Sequence, residues 1–144
     1  MIEKITFNKK LFALIVRGKY RSKKGISFFT ENKDIQQFGY MNHKKNHIIR
    51  PHLHKKQTRR IIHTSEVILI LKGILRVDFY DTKKSYLFSK LLKEKDLIML
   101  VHGAHGFKVI KNVQMIEIKQ GPYITKLDKV KFSEINEKKI KIKK

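Results

Sequence analysis

Cysteine is absent from this chain of 144 residues. Disulfide bonds and thiolate chemistry are therefore excluded, and since nothing indicates an oxidising compartment we expect a cytoplasmic protein. A long apolar run is missing as well. The N-terminal apolar run at residues 11–16 is too short to span a bilayer, and no plausible cleavage site follows it. That run predicts a strand, and we expect no membrane partner.

Acidic residues are scarce, since 12 Asp and Glu stand against 34 Lys and Arg, a formal net charge of +22. Such a charge favours association with polyanions whatever the fold. Only six of the cations are arginine, however, and the lysines are spread over nearly every segment. Selective readers of nucleic acid use arginine forks and basic stripes with interleaved aromatic residues. An AT-rich genome also produces a composition rich in lysine and isoleucine, so we expect any nucleic-acid binding to be non-specific.

Short apolar alternations bounded by turn residues recur along the chain and predict strands, not helices. The predicted strands are residues 10–16, 37–41, 66–71, 74–80, 86–91, 97–101, 107–110 and 114–118. We predict tight hairpins at Lys72 and Gly73 and at residues 81–84. Many short strands at this spacing, with no internal repeat, are typical of a jelly-roll barrel. The length fits one domain, which we place at residues 1–132, and the basic tail at 133–144 is either a frayed extension or a terminal strand.

Histidines are spaced along the chain in a way that suits a metal ion. His52 and His54, at i and i+2 on a segment predicted to be extended, point to one face, so both imidazoles reach the same region. Two more, His102 and His105, follow a predicted strand, and Glu66 begins another. Imidazole suits Zn, Fe, Ni, Mn or Cu, and an added carboxylate shifts the preference towards Fe, Mn or Zn. The spacing predicts one divalent ion without selecting the element.

The order of these groups resembles the cupin superfamily, whose first motif is G-x5-H-x-H-x3/4-E-x6-G. Residues 51–54 read Pro-His-Leu-His, Asn46 occupies the position of the first glycine, and Glu66 precedes Gly73 at the family's spacing. Asparagine tolerates the left-handed conformation that this glycine supplies. Residues 101–105 take the place of the second motif, which ends on a histidine.

A narrower resemblance links the chain to small single-domain bacterial cupins associated with sugar-nucleotide and surface-polysaccharide pathways. The matching stretches are residues 64–67, 76–81, 105–107 and 117–123, within a similarity that covers residues 35–132. The resemblance implies an all-β cupin jelly-roll barrel and a homodimer. It also implies one divalent metal ion, Zn, Fe, Mn or Ni, bound by His52, His54, Glu66 and His105.

Glu66 is the ligand whose position stays most open, because eleven residues separate it from His54 where the family pattern has three or four. His63 is the alternative, since residues three apart on a strand face opposite sides and one of the two faces inward. The predicted hairpin after this strand fixes its register. We therefore predict that Glu66 faces inward together with Ile68 and Ile70.

By resemblance, the activity is isomerisation or epimerisation of a sugar, sugar nucleotide or similar small polar metabolite. His102 or Tyr80 would act as the acid or base beside a metal ion that polarises a carbonyl. The predicted ligand-binding residues, through guanidinium forks or aromatic stacking, are Arg59, Arg60, Arg76, Phe107 and Tyr123. Two alternatives remain: an Fe(II)-dependent dioxygenase on the same metal ligands, or a non-catalytic module that senses a small ligand or binds polyanions.

Overall fold

The computed structural model describes residues 1–23, 25–124 and 128–144. In those ranges the chain is built almost entirely from antiparallel strands and contains no α-helix, which confirms the predicted all-β class. No helix there is long or apolar enough to cross a membrane. The chain divides into two units, residues 1–20 with 63–144 and residues 21–62, each with its own sheet.

Eight strands follow one another along the chain. They are β1 Ile2–Phe7, β2 Lys10–Val16, β3 Gly25–Phe28, β4 Gly39–Asn42, β5 Glu66–Tyr80, β6 Tyr86–Lys93, β7 Leu97–Leu100 and β8 Ala104–Lys119. The first unit holds six of them in one sheet. Five follow the order β1-β2-β7-β5-β6, in which β7 and β6 share one edge of β5, and β8 pairs with the opposite edge of β5. This antiparallel sheet curls strongly into a half-barrel. The predicted turn at residues 81–84 is confirmed, because it joins β5 to β6.

One prediction was wrong: Lys72 and Gly73 do not form a hairpin, because β5 continues through them as a single strand of 15 residues. Gly73 has a φ of 93°, and the pairing of β5 with β8 shifts register on both sides of it. A glycine with positive φ occurs in β-bulges as well as in turns, and the flanking residues show the same apolar alternation in both cases. The sequence therefore does not distinguish a bulge from a hairpin here. The bend lets the first half of β5 pair with β7 and the second half with β6, on the same edge.

One face of this sheet carries the hydrophobic core. Strand β5 supplies Ile68 and Ile70 before the bend and Leu75, Val77 and Phe79 after it, so the inward positions change parity at the bulge. They pack against residues of β1, β2, β6 and β7, namely Ile5, Phe12, Ala13, Ile15, Phe88, Leu92, Ile98 and Leu100. Full burial of each large aliphatic side chain contributes about 1.5–3 kcal/mol. The predicted inward orientation of Ile68 and Ile70 is confirmed.

The basic tail, residues 133–144, lies along β6. Ser89 N donates to Lys141 O at 2.9 Å and Lys143 N donates to Ser89 O at 2.9 Å, so Ser89 and Ile142 form a parallel bridge. A short 3₁₀ helix, Glu137–Lys139, precedes this bridge. Of the two predictions for the tail, a terminal strand is the closer description.

The second unit contains the small antiparallel pair of β3 and β4. The rings of Phe29 and Phe38 pack edge to face at 5.4 Å just beyond the paired residues. Residues 43–62, all of them described, form no regular strand and are almost entirely exposed. Within them Asn46 has a φ of 65°, so the left-handed conformation predicted for it is confirmed.

Candidate functional site

Glu66 and His105 are in direct contact. The carboxylate Oε2 of Glu66 lies 2.8 Å from Nε2 of His105. In the β5–β8 register, however, Glu66 is opposite Lys119, and His105 is opposite Phe79 at the far end of the ribbon. A flat ribbon would separate these ends by roughly 40 Å at about 3.3 Å per residue. The ribbon therefore folds back on itself at Gly73, and this fold-back brings the two side chains together.

The electrostatic surroundings keep Glu66 ionised. Only 7% of the residue is exposed, as predicted for an inward-facing position. The hydrogen bond with His105 is the main cause that lowers the pKa of Glu66, against burial, which raises it. The nearby charges of Lys129 and Lys119 lower this pKa further, and Lys129 Nζ lies 3.8 Å from Glu66 Oε1. The site therefore holds a buried carboxylate in a positive field.

Two of the predicted ligand-binding aromatic residues lie beside this pair. The ring of Phe107 is tilted against the imidazole of His105 at 5.1 Å. Lys119 Nζ, opposite Glu66 in the register, sits 4.5 Å above the ring of Tyr123 and 3.4 Å from Asp128 Oδ2. Both aromatic residues remain partly exposed, 40% for Phe107 and 55% for Tyr123.

His102 lies next to His63. Its ring packs edge to face on Phe12 at 5.4 Å and on His63 at 5.7 Å. Burial, followed by the charges of Lys10 and His63, lowers the pKa of His102. The imidazole of His102 is therefore neutral at neutral pH and able to accept a proton. His63 is exposed, in agreement with the prediction that Glu66 is the inward residue of the two.

Tyr80 lies on the face of β5 opposite the core. Its hydroxyl accepts a hydrogen bond from Ile135 N at 3.2 Å, and its ring contacts the rings of Tyr86 and Phe132. Burial raises the pKa of Tyr80. The tail thus covers the face of the sheet that carries Tyr80. His105 is paired with Phe79, so its side chain lies on the opposite face.

Arg76 binds two carboxylates on that same tail-covered face. Its guanidinium donates to both oxygens of Asp78, at 2.8 and 3.1 Å, and to both oxygens of Glu137, at 2.7 and 3.0 Å. The hydrogen bonds to Glu137 are the main cause that raises the pKa of Arg76. Ser89 also donates to Asp78 Oδ1. A ligand anion would have to displace Glu137 before it could bind Arg76.

The second unit holds the remaining predicted residues. The rings of His52 and His54 are neighbours, with centroids 5.2 Å apart in an edge-to-face arrangement, and both residues are exposed. His52 Nδ1 lies 3.0 Å from the carbonyl of Arg50. Arg59 and Arg60 are exposed, and Arg59 donates to Gln57 at 3.3 Å. The two imidazoles therefore lie side by side in a stretch that forms no strand.

The four predicted metal ligands thus form two pairs, one in each unit. In the described ranges no group of three or more His, Asp or Glu side chains is already placed to hold an ion. Sequence reasoning missed Lys119, Lys129 and Asp128, which surround Glu66. No local pattern marks them, because Lys129 and Asp128 follow the last strand and reach Glu66 and Lys119 only in the folded chain.

No protein-family model matches this chain, and neither a curated protein nor a solved structure matches it. The function must therefore be argued from the residues themselves. The strongest local feature is the contact between Glu66 and His105, since it joins two groups that lie far apart in the sequence.

Proposed function

We propose that the protein is a metal-binding cupin and that its candidate ligands for a divalent ion are two pairs, Glu66 with His105 in the first unit and His52 with His54 in the second. The observation that carries the proposal is the 2.8 Å contact between Glu66 and His105. A buried carboxylate is costly unless a cation or hydrogen bonds compensate it. An imidazole and a carboxylate are also the donor types that Zn, Fe and Mn prefer. Each pair offers two donors that already lie close together.

The proposed reaction is isomerisation or epimerisation of a sugar, a sugar nucleotide or a similar small polar metabolite. A bound divalent ion would supply Lewis-acid polarisation of a carbonyl. Phe107 and Tyr123 can stack against the apolar face of a sugar ring, and the ammonium groups of Lys119 and Lys129 can bind an anionic substituent. A neutral His102 is the proposed base, because its lowered pKa leaves it free to accept a proton.

We propose further that the protein forms a homodimer through β8. In the described residues β8 pairs only with β5, so its other edge presents unpaired backbone groups. Large apolar side chains are exposed along that strand, including Val109, Ile110, Ile116 and Ile118. An exposed edge of this length invites a further strand, and a second copy supplies an identical one across a two-fold axis.

The metal proposal is tested by elemental analysis of protein purified without a histidine tag. We expect about one divalent ion per chain. The double variant His52→Ala/His54→Ala should lose the ion and keep its fold by circular dichroism, since both residues are exposed. The matched control is His43→Ala/His47→Ala, a stacked pair in the same unit that should leave the metal content unchanged. Full metal content in the first variant would remove these histidines from the site.

The reaction is tested by incubating the metal-loaded protein with nucleotide sugars in deuterated water. Isomerisation or epimerisation next to a carbonyl exchanges a carbon-bound proton with solvent, so NMR should detect deuterium at that carbon. Loss of exchange in His102→Gln with unchanged metal content would support its role as base. Exchange that persists in this variant would assign the base to another residue.

A further inference from the structure

Residues 43–62 form a stretch of unusual charge, which we call the basic segment. It contains seven Lys and Arg, four His and no acidic residue. All its residues except His43 are exposed. In the described part of the chain none of its seven cations takes part in an ion pair, whereas several cations of the first unit, such as Lys90, Arg17 and Arg76, bind carboxylates. The basic segment therefore presents free positive charge to solvent.

Aliphatic side chains lie among these cations. Leu53 is 92% exposed, Ile48 78% and Ile62 69%, and Ile49 and Ile61 are exposed as well. The segment contains no Phe, Tyr or Trp. Proteins that bind single-stranded nucleic acid stack bases mainly on such rings, whereas the rings of this segment are four imidazoles that already pack on one another in two pairs. Exposed aliphatic groups among lysines suit the boundary between lipid headgroups and acyl chains. There the charged groups can contact the headgroups while the apolar side chains enter the acyl region.

We propose that the basic segment docks the protein on an anionic lipid surface. Its ammonium and guanidinium groups bind the phosphates of the headgroups, and Ile48, Leu53 and Ile62 enter the outer edge of the acyl region. Each Lys or Arg close to an anionic membrane strengthens binding about five-fold, and the effect falls off within a Debye length. This contact is peripheral and needs no membrane-spanning segment. The expectation of no membrane partner rested on the shortness of the apolar run at residues 11–16, and it does not bear on a peripheral contact.

The test is co-sedimentation of the full chain with vesicles of phosphatidylcholine that contain or lack phosphatidylglycerol. We expect binding to the anionic vesicles alone and weaker binding as salt is raised. The quadruple variant of Lys44, Lys45, Lys55 and Lys56 to Gln should bind at least about ten-fold more weakly. The matched control changes four exposed lysines of the first unit, Lys4, Lys72, Lys83 and Lys111, to Gln. It removes the same charge and should lose little affinity.

The apolar contribution is tested separately with Ile48→Ser/Leu53→Ser, against Leu71→Ser/Val130→Ser as a control of similar size outside both the segment and β8. The first pair should release the protein from vesicles at high salt, where the charges are screened, and the second should not. Equal losses in the two lysine variants would show that net charge alone drives binding and would overturn the proposal. So would tighter binding to single-stranded RNA than to anionic vesicles at the same salt. All variants retain His52 and His54, so failure here is separate from failure of the metal site.

Discussion

Glu3 is a part-buried carboxylate of β1 that binds Arg17, just after β2, and Lys90 of β6. Its Oε1 accepts from Arg17 Nε at 2.5 Å and its Oε2 from Lys90 Nζ at 2.7 Å, while Arg17 also donates to Asp96 at 2.8 Å. Burial raises the pKa of Glu3, but the hydrogen bonds and charges of Arg17 and Lys90 outweigh it, and the net pKa is lowered. A lowered pKa in the folded state means that the ionised carboxylate stabilises the fold.

Glu3→Gln should reduce the free energy of unfolding by about 1 kcal/mol at neutral pH, because the contacts with both Arg17 and Lys90 lose the carboxylate charge at a partly exposed site. The stabilisation by Glu3 is fully present above the pKa of an unfolded glutamate, about 4.3. It is lost as pH falls through the lower pKa of the folded state. Urea titrations from neutral to acidic pH should therefore converge for wild type and variant. The exposed Glu134→Gln is the control, and parallel curves for Glu3→Gln would contradict the expectation.

The orientation of Glu66 could be predicted from the sequence, since it alternates with Ile68 and Ile70 in one strand. The reason offered for it, a hairpin at Gly73, was wrong, and the prediction succeeded because strand alternation holds whatever follows the strand. The contact with His105 was not predictable by the same means. It depends on how sharply the ribbon bends, and alternation along a strand contains no information about curvature.

The bend at Gly73 is the element on which the fold-back depends. A Cβ at this position would lie 2.0 Å from the carbonyl oxygen of Asn112 and 2.5 Å from that of Lys111, both of them backbone atoms. The φ of 93° is also strained for any residue with a side chain. A side chain here would push β5 and β8 apart at the bulge.

Gly73→Ala should lower the free energy of unfolding by more than about 2 kcal/mol, since backbone strain of about 1–2 kcal/mol adds to the clash. Gly106→Ala in β8 is the control, because its nearest contact would be an ordinary 3.8 Å to the ring of Tyr80. Thermal unfolding followed by circular dichroism measures both. A Gly73→Ala protein as stable as the control would mean that the ribbon tolerates a different bend.

At the scale of the whole molecule, the net charge of +22 opposes association of two copies through β8. Salt screens this repulsion, so dimer formation should increase with ionic strength. Lipid binding should have the opposite salt dependence.

Size-exclusion chromatography with light scattering at low and high salt measures the dimer. Ile110→Lys/Ile116→Lys should remain monomeric, whereas Val130→Lys, at an exposed site outside the strands, should behave as wild type. Dimers of the first variant would exclude this edge.

The all-β class could be predicted because strands such as β2 and β7 follow from apolar alternation alone. The division into two units could not. The segment that carries His52 and His54 was expected to be extended, yet residues 43–62 form no strand and are almost entirely exposed, so local pattern does not decide whether a segment finds a partner in a sheet.

The fold-back of the β5–β8 ribbon also bears on the order of folding. Tyr80 and Ala104, close in sequence, pair at one end of the ribbon, and Glu66 and Lys119, much further apart, pair at the other. Closing the shorter loop costs less chain entropy, so we expect zippering to start at Tyr80 and to travel towards Glu66. Glu66 also lies opposite Leu100 of β7, five residues before His105, so its contact with His105 requires β7 to have paired with β5 as well. The contact proposed to carry function is thus formed at the end of folding, and partly folded chains would lack the site.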